Sequence, residues 1–302
     1  MEFLTFTAEK DDANRRFDRL IACFLPQMPT AIVQKNIRTG FIRLNQKKAK
    51  PNSLIQEKDR ISIARVLYQE YKDTKEILKK EKLSISIKTL FKNEHLWIVH
   101  KERGMLSQKA KKNDTSLNCI LKEASQHSPS LSFVPGILHR LDKETSGLIV
   151  FSQSLKGAQW FSSIMQENTL GKYYIGIAEG RLLKDEIWED TIDGERCITE
   201  VRLLEEGRYK EKNLSLIEYK IITGKKHQIR KQGEKHQLSL LGDKKYGGFT
   251  DDFIQDYALH AYKLAFPENN LGIPPIVKDS IPEYFKNMAQ ACLLKLDSPL
   301  IL

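Results

Sequence analysis

Several features that mark common protein classes are missing from this chain of 302 residues. Its longest apolar runs, at residues 96–99 and 147–151, are far shorter than the ~20 residues that a membrane-spanning helix requires. The first residues, MEFLTFT, lack the basic segment and long apolar segment of a secretory signal peptide. We therefore expect a cytoplasmic protein with no membrane partner.

Cysteine is scarce, and the sequence has no C-x-x-C pair that would indicate a structural zinc site or a disulfide framework. The glycine patterns G-x-G-x-x-G and G-x-x-x-x-G-K-[ST], which bind dinucleotides and nucleotide phosphates, are also missing. We find no cluster of metal ligands in the sequence either. These absences are consistent with a function that needs no cofactor or metal.

The residues that are present favour a folded protein with a polyanionic partner. Hydrophobic residues make up 40% of the chain, which is enough for a sizeable core. The net charge is +10, and residues 31–50 contain no Asp or Glu at all. A positive face of this kind attracts nucleic acid, although a solvated basic surface without a ligand is the alternative. The candidate residues for binding a nucleic acid are Lys35, Arg38, Arg43, Lys47 and Lys48.

The N-terminal part reads as a small module over residues 1–68. Apolar residues at helical spacing predict helices over 17–25 and 31–38, and alternating patterns predict strands near 41–48 and 59–64. Residues 69–87 are rich in charge and predict a linker. Residues 88–302 then form a second domain.

In the second domain, strand-like runs alternate with helical patterns. The mixture predicts an α+β fold with a mostly antiparallel sheet and flanking helices. In the run 214–223, the pattern places Ile217, Tyr219 and Ile221 on one side and Glu218 and Lys220 on the other. The predicted helices are 116–125, 157–167 and 252–257.

Chemistry-bearing residues are densest in the segment GILHRLDKETSGLIV, residues 136–150. His139, Arg140, Asp142 and Thr145 stand directly before an apolar strand, at the edge where sites often lie. A plainer interpretation of this pattern is that Asp142 caps a turn or pairs with Arg140, since Asp is a common turn residue.

HRLDKETSGL resembles the HRLD-x-x-TSG signature of the RluA family of pseudouridine synthases, and further motifs follow in the family's order. They are the strand that ends at Lys101, KYYIGIAEG at 172–180, TGKKHQIR at 223–230, GDKKYG at 242–247 and LHA at 259–261. Together they cover residues ~88 to ~266. In the second motif, the usual Lys-Pro is Lys101-Glu102, and in the fourth, the family's arginine is Lys225.

The resemblance implies a catalytic role for Asp142, either as a nucleophile towards C1′ of the ribose or as a base that removes a ribose proton. It also implies that Arg230 forms an ion pair with Asp142, and that Tyr174 stacks on the target uracil or bonds near it and helps to move the C5 proton. Each has a structural alternative, a plain salt bridge for Arg230 and a core position for Tyr174.

The family resemblance also implies that the target uridine swings out of its RNA stack, at a cost of a few kcal/mol. Arg140 matches the family arginine that fills the vacated place, and a surface pair with Glu144 is its alternative. His139 contacts the RNA or simply holds the loop. The N-terminal module resembles the S-four-type RNA-binding domain that precedes many of these enzymes, although Lys58 stands where that domain has a glycine.

The function that the resemblance implies is isomerisation of specific uridines to pseudouridine, and the expected substrate is large-subunit ribosomal RNA, of the 23S type in bacteria. The same reaction on transfer RNA or another ribosomal site uses the same residues. A different class, an RNA-binding ribosome assembly factor without catalysis, remains open. We expect a monomer with no obligate protein partner.

Overall fold

A computed structural model of the chain describes residues 1–72, 86–111, 114–125 and 130–296. The described residues fall into two compact units. The N-terminal unit contains the described part of Met1–Ser84 together with Ala124–Pro135 and Gln153–Lys156. The second unit contains the rest, so its sequence is interrupted by two returns of the chain to the N-terminal unit.

The N-terminal unit pairs two helices with a small antiparallel sheet of strand order β1-β3-β2. The predicted helices over 17–25 and 31–38 are confirmed, and so are the last two strands. The first strand was not predicted, because FLTFT is too short to separate from a loop. Its elements are β1 (Phe3–Thr7), α1 (Phe17–Phe24), α2 (Thr30–Thr39), β2 (Ile42–Leu44), β3 (Arg60–Ala64) and α3 (Arg65–Tyr71).

Helix α3 reaches into the first residues of the linker that the sequence predicts at 69–87. Residues 73–85 of that linker lie outside the described residues. Lys58, at the position where the S-four-type pattern has glycine, adopts the left-handed backbone with φ of 70°. The turn before β3 therefore keeps its left-handed geometry, at a modest conformational cost to a non-glycine residue.

Asp12 explains why the segment 130–135 belongs to the N-terminal unit. This fully buried carboxylate accepts hydrogen bonds from the Ser130 and Ser132 hydroxyls and from the Leu131 and Ser132 amides. The Glu9 amide donates to it as well. Burial opposes its ionisation, but these donors lower its pKa below the ordinary value.

The second unit is built on a nine-stranded sheet with the order β4-β5-β6-β11-β7-β10-β9-β8, and β12 pairs with β11. Every pair of neighbours is antiparallel except β6 with β11. The α+β fold with a mostly antiparallel sheet is therefore confirmed. The strands are β4 (Thr89–Lys92), β5 (Leu96–Lys101), β6 (Ser146–Ser152), β7 (Gly171–Glu179), β8 (Glu186–Ile192), β9 (Glu195–Tyr209), β10 (Lys212–Ile221), β11 (Leu259–Ala265) and β12 (Ile276–Lys278).

Helices cover the sheet, and both faces of its central strands are buried. Strands β5 and β6 are buried along their whole length. Gly147 in β6 permits the close parallel approach to β11, because a β-carbon there would lie 2.3 Å from the Ala261 carbonyl oxygen. The helices are α4 (Leu117–Ala124), α5 (Leu155–Gln166), α6 (Gln228–Lys235) and α7 (Glu283–Ala291).

One local prediction is wrong. Residues 252–257 form no helix, because the Asp251 carboxylate accepts the amides of Phe253 and Ile254 and closes a turn instead. Glu218 lies on the opposite face of β10 from Ile217 and Tyr219, as predicted, and that face is buried as well. Glu218 is only 6% exposed, because the sheet is covered on both sides, and the Tyr262 hydroxyl and Lys263 ammonium bond to it.

No helix among the described residues is long and apolar enough to cross a membrane.

A buried polar network fastens the C-terminal part of the second unit to β5. Asp279 bonds to the imidazole of His100, and Lys88 donates to its other oxygen at 2.8 Å. The ring of His100 also lies 3.3 Å from a carboxylate oxygen of Glu102. Burial opposes a charge on His100, but these two carboxylates raise its pKa above the ordinary value.

The first prediction concerns Asp12. Replacement by Ala leaves several buried donors without an acceptor, so we expect the free energy of unfolding to fall by about 2–4 kcal/mol. Urea denaturation followed by circular dichroism measures this. Glu57→Ala, at an exposed position of the same unit, is the control and is expected to change little. Equal stability of the two variants would contradict the account of Asp12.

The second prediction concerns pH. Because the pKa of His100 is raised in the folded protein, its stabilising effect is complete below about 6.5 and is lost as pH rises through the raised value. We expect the stability difference between the native chain and His100→Gln to shrink as the pH rises above about 6.5. Urea denaturation at a series of pH values tests it, and a difference that grows with pH would show the sign to be wrong.

Candidate active site

The second unit contains a cleft of about 330 Å³ where the loop before β6 meets β7, β11 and the start of α6. A second cleft of about 320 Å³ adjoins it. Both are lined by Arg140, Asp142, His227 and Arg230, so these side chains form the wall between them. Three of the motifs that the sequence singles out therefore meet at one place.

Two side chains from earlier in the chain form hydrogen bonds with the backbone around Asp142. The Ser107 hydroxyl donates to the Leu141 carbonyl at 2.8 Å and accepts the Leu141 amide at 3.1 Å. Lys101 is fully buried, and its ammonium donates to the carbonyl of Lys143 at 3.0 Å. The Thr145 amide closes the turn on the Asp142 carbonyl at 3.2 Å. This loop is fixed although it has no regular secondary structure.

Arg230 is the charged partner of Asp142, as the resemblance implies. Its Nη1 lies 3.4 Å from Oδ2 of Asp142. Its stronger partner is Asp243, whose two oxygens accept Nε at 2.6 Å and Nη2 at 2.9 Å. This bidentate pair is the shorter and better aligned contact, so Asp243 fixes the guanidinium and leaves one nitrogen facing Asp142.

Two aromatic rings enclose the Arg230 guanidinium. Its central carbon lies 4.8 Å from the ring centre of Tyr246 and 4.5 Å from that of Tyr257. Burial opposes the charge, but Asp243 raises the pKa of Arg230 above its ordinary value. Arg230 is therefore a permanent cation. Its guanidinium is held in place by Asp243 and by the rings of Tyr246 and Tyr257.

Asp243 is itself held by its own loop. The amides of Lys245 and Tyr246 donate to Oδ1 at 3.1 and 3.2 Å, and Asp243 is only 1% exposed. The motif GDKKYG thus closes a tight turn around its own carboxylate. It presents that carboxylate to Arg230 on α6.

Tyr174 lines the same cleft from β7 and is 9% exposed. Burial raises the pKa of its phenol, and the negative charge of Asp142 raises it further. The phenol is therefore protonated at neutral pH. This state fits stacking on a base or donating a hydrogen bond better than it fits removal of a proton by a free phenolate.

His227 is a site residue that the sequence reasoning did not single out. Its Nε2 lies 3.6 Å from Oδ1 of Asp142, and its Nδ1 lies 2.8 Å from the Tyr246 hydroxyl. It adopts the left-handed backbone with φ of 56° directly before α6. Burial and the nearby cation Arg230 lower its pKa, although Asp142 acts in the opposite direction. It faces Asp142 as a neutral ring at neutral pH.

The two other candidates of the HRLD segment differ in environment. Arg140 is exposed and lines both clefts. His139 accepts the Val150 amide at 3.1 Å and stacks on the ring of Phe161. Burial, with a smaller effect of Lys172, lowers the pKa of His139 to about 4. Its geometry supports the alternative that His139 holds the loop.

The candidate RNA-binding residues of the N-terminal unit lie on α2 and in the turn after β2. Lys35, Arg38, Lys47 and Lys48 are exposed. Arg43 is half-buried, donates to the Gly40 carbonyl at 2.9 Å and lies over the ring of Phe3. Arg43 is thus tied into the unit, whereas the four lysine and arginine side chains around it are available to a ligand.

Within the described ranges, no group of three or more His, Cys, Asp or Glu side chains is arranged to hold a metal ion.

The rim residue Lys225, which replaces the family's arginine, is paired with Glu195 at 2.5 Å. The loop from Thr223 to His227 is fixed by Gln228, whose side-chain oxygen accepts the Thr223 hydroxyl and the Lys225 amide. The departure at Lys225 therefore leaves this loop ordered.

Sequence reasoning missed four contributors to the site. Asp243 and Tyr246 stand in the GD-x-x-YG motif, so the signal was present without an assigned role. His227 stands inside the motif that was read for Arg230 alone. Tyr257 had no sequence signal, because it belongs to a segment that the pattern assigned to a helix.

Comparisons with known proteins show what this chain is similar to. Residues 95–235 match the family model described as RNA pseudouridylate synthase. An uncharacterised RNA pseudouridine synthase of Mycoplasma genitalium is 27% identical, over 93% of this chain and 95% of that protein. The ribosomal large subunit pseudouridine synthase C of Rickettsia typhi is 26% identical, over 89% and 95%. Synthase D of Nitrosomonas europaea is 27% identical, over 95% and 87%.

The fold has a counterpart among solved structures. The human RNA pseudouridylate synthase domain containing 4 superposes with a TM-score of 0.56 at 19% identity, over 70% of this chain and 95% of that one. The fold and the family match define an RNA pseudouridine synthase, an isomerase that acts on RNA. The family match and the named relatives support the resemblance to the RluA family that the sequence motifs indicate.

The third prediction follows from Asp243. In Asp243→Asn, Arg230 loses a buried charged partner, so we expect about 3 kcal/mol lower stability and an isomerisation rate reduced by at least about tenfold. Thermal unfolding and single-turnover assays on RNA measure these effects. Asp252→Asn changes an exposed carboxylate in the same part of the chain and is the control. Native activity of Asp243→Asn would show that Arg230 needs no such anchor.

Proposed function

We propose that this enzyme isomerises specific uridines of large-subunit ribosomal RNA to pseudouridine, and that Asp142 carries out the chemistry at the ribose. The observation that carries this proposal is the Asp142 carboxylate, half-buried in the cleft and 3.4 Å from the fixed Arg230 guanidinium. The names of the relatives from Rickettsia and Nitrosomonas support a ribosomal target. Since the relatives are bacterial, we place the reaction in the cytoplasm, and the monomeric state stays a prediction.

The reaction breaks the bond between C1′ and N1, turns the uracil, joins C1′ to C5 and releases the C5 proton. Asp142 attacks C1′ or removes a ribose proton, and both roles require an ionised carboxylate. A flipped base that closes the cleft removes water from Asp142, which favours its neutral form. Arg230 opposes that effect because it is a permanent cation within ion-pair distance.

Base flipping brings the uracil to Asp142. We propose that Tyr174 contacts the flipped base and that Arg140 enters the place that the base leaves. Arg140 is suited to this role because it is exposed at the wall shared by the two clefts. The reaction needs no external oxidant, reductant or energy source, so we propose that it proceeds without a cofactor.

The N-terminal unit supplies a second RNA contact in this proposal. Its exposed cations Lys35, Arg38, Lys47 and Lys48 are suited to phosphates and carry no sequence preference of their own. Resemblance to the S-four-type domain supports this role. Sequence choice then rests on the second unit, which admits a single flexible uridine.

The fourth prediction tests the target. We compare pseudouridine maps of total RNA from cells with the native gene, with Asp142→Asn, with Asp252→Asn and with the gene deleted. Asparagine keeps the size of Asp142 and removes its charge, so the fold is expected to persist. Particular large-subunit ribosomal uridines should lose their modification in the deletion and Asp142→Asn strains alone.

Loss of pseudouridine only from transfer RNA would overturn the ribosomal target and keep the chemistry. Loss in the deletion strain but not in Asp142→Asn would overturn the role of Asp142. No change at any position would favour an RNA-binding assembly factor.

A further inference from the structure

Lys172 is the second residue of β7 and lines the cleft two residues before Tyr174. Because side chains two apart along a strand lie on the same face, Lys172 and Tyr174 share one wall of the cleft. Lys172 is only 7% exposed. Within the part of the chain that the structure describes, its ammonium has neither a hydrogen-bond acceptor nor a carboxylate partner.

Lys101 is a second buried lysine of this unit, and its surroundings differ from those of Lys172. The ammonium of Lys101 donates to the carbonyls of Glu102, Met105 and Lys143 at 2.8–3.0 Å. Those three acceptors satisfy the N–H donors of the ammonium, so Lys101 has a structural role: it joins backbone segments of the loop. Lys172 has no comparable structural role, because its side chain is buried while its ammonium meets the cleft and no protein acceptor among the described residues.

Burial lowers the pKa of Lys172 below its ordinary value. An acceptor from the substrate would remove that penalty by accepting a hydrogen bond in a site with little water. Among the residues that line the cleft, Leu138, Met165 and Ile221 supply an apolar part of the wall. Such a wall suits a flat base better than a hydrated phosphate.

The chemistry of the target supplies an acceptor of this kind. When the bond between C1′ and N1 breaks, its electron pair stays on the uracil and spreads from N1 over O2 and O4. When C1′ joins C5, the pair forms the new bond, and the proton on C5 then leaves. The detached uracil is therefore most negative between the two bond changes, while it lies beside Tyr174.

We propose that Lys172 is a further catalytic residue, whose ammonium donates a hydrogen bond to a carbonyl oxygen of the target uracil and stabilises the detached base. The inference rests on the proposed role of this cleft and names the group that contacts the base. Lys172 keeps its proton throughout, so the balance of atoms in the reaction is unchanged.

A binding experiment separates contact with the base from contact with a phosphate. The probes are a labelled RNA of ten nucleotides with one central uridine among adenosines and the same RNA with an abasic ribose at that position. All proteins carry Asp142→Asn to prevent turnover. Lys172→Met is expected to weaken binding of the uridine RNA by about tenfold and to leave binding of the abasic RNA unchanged.

Lys226→Met provides the matched comparison. Lys226 is an exposed lysine at the rim of the same cleft, suited to a phosphate, so its loss should weaken binding of both RNAs equally. Equal weakening of both RNAs by Lys172→Met would make Lys172 a phosphate contact and overturn the proposal. Unchanged binding of both RNAs would overturn it too.

The kinetic experiment uses Asp142 intact and ribosomal RNA from the deletion strain, tritiated at C5 of uridine. Lys172→Met should slow tritium release by about 10²–10³-fold, as for loss of one donor to a developing anion, and Lys172→Arg should restore part of the rate. Thermal unfolding of both variants checks that they fold. A native rate in Lys172→Met would overturn the proposal.

The ribosomal target and the contact of Lys172 with the base are tested by different results. If the ribosomal target is wrong, the native enzyme releases no tritium from this RNA, and the binding experiment still decides whether Lys172 contacts the base.

Discussion

The bidentate contact between Arg230 and Asp243 is the constraint on which the site depends. It fixes a guanidinium between two tyrosine rings and leaves one nitrogen directed at Asp142. Burying one cation with one carboxylate is usually close to neutral in energy. Its value here is positional, because an ionised Asp142 stays next to a cation that does not move when a base closes the cleft.

Much of the architecture exists to bring that pair to the loop before β6. The loop is irregular, but Ser107 and Lys101 bond to its backbone. The Asp142 side chain is not used in these bonds and faces the cleft. The parallel pairing of β6 with β11, which Gly147 permits, places the loop one strand away from β7, which carries both Tyr174 and Lys172. A flexible substrate therefore meets a rigid arrangement of charges, which lowers the reorganisation needed during the reaction.

The class of fold and the principal residues of the site were predictable, and the reasons are local. Alternating and helical patterns predict β6, β7, α1 and α2, and the motif order of the family predicts that Asp142 and Arg230 meet. What the sequence could not show is which partner dominates a contact. Arg230 was expected to pair with Asp142, whereas its shorter bonds go to Asp243, because partner choice depends on side-chain packing across separate elements.

Lys101 ends the strand of one motif and Lys172 begins another motif, and their surroundings differ although both are buried. The ammonium of Lys101 donates to three carbonyl oxygens, whereas that of Lys172 opens on the cleft without a partner among the described residues. Glu218 shows the same limit, since alternation along β10 predicts its side but not the covering of that side. Tertiary burial decides these outcomes.

The most direct test of the account is release of tritium to water from RNA labelled at C5 of uridine, using the purified native enzyme and Asp142→Asn. The account predicts release by the native enzyme and none above background by Asp142→Asn, with both proteins showing the same circular dichroism spectrum. Comparable release by the two proteins would contradict it, because the carboxylate would then have no part in the reaction.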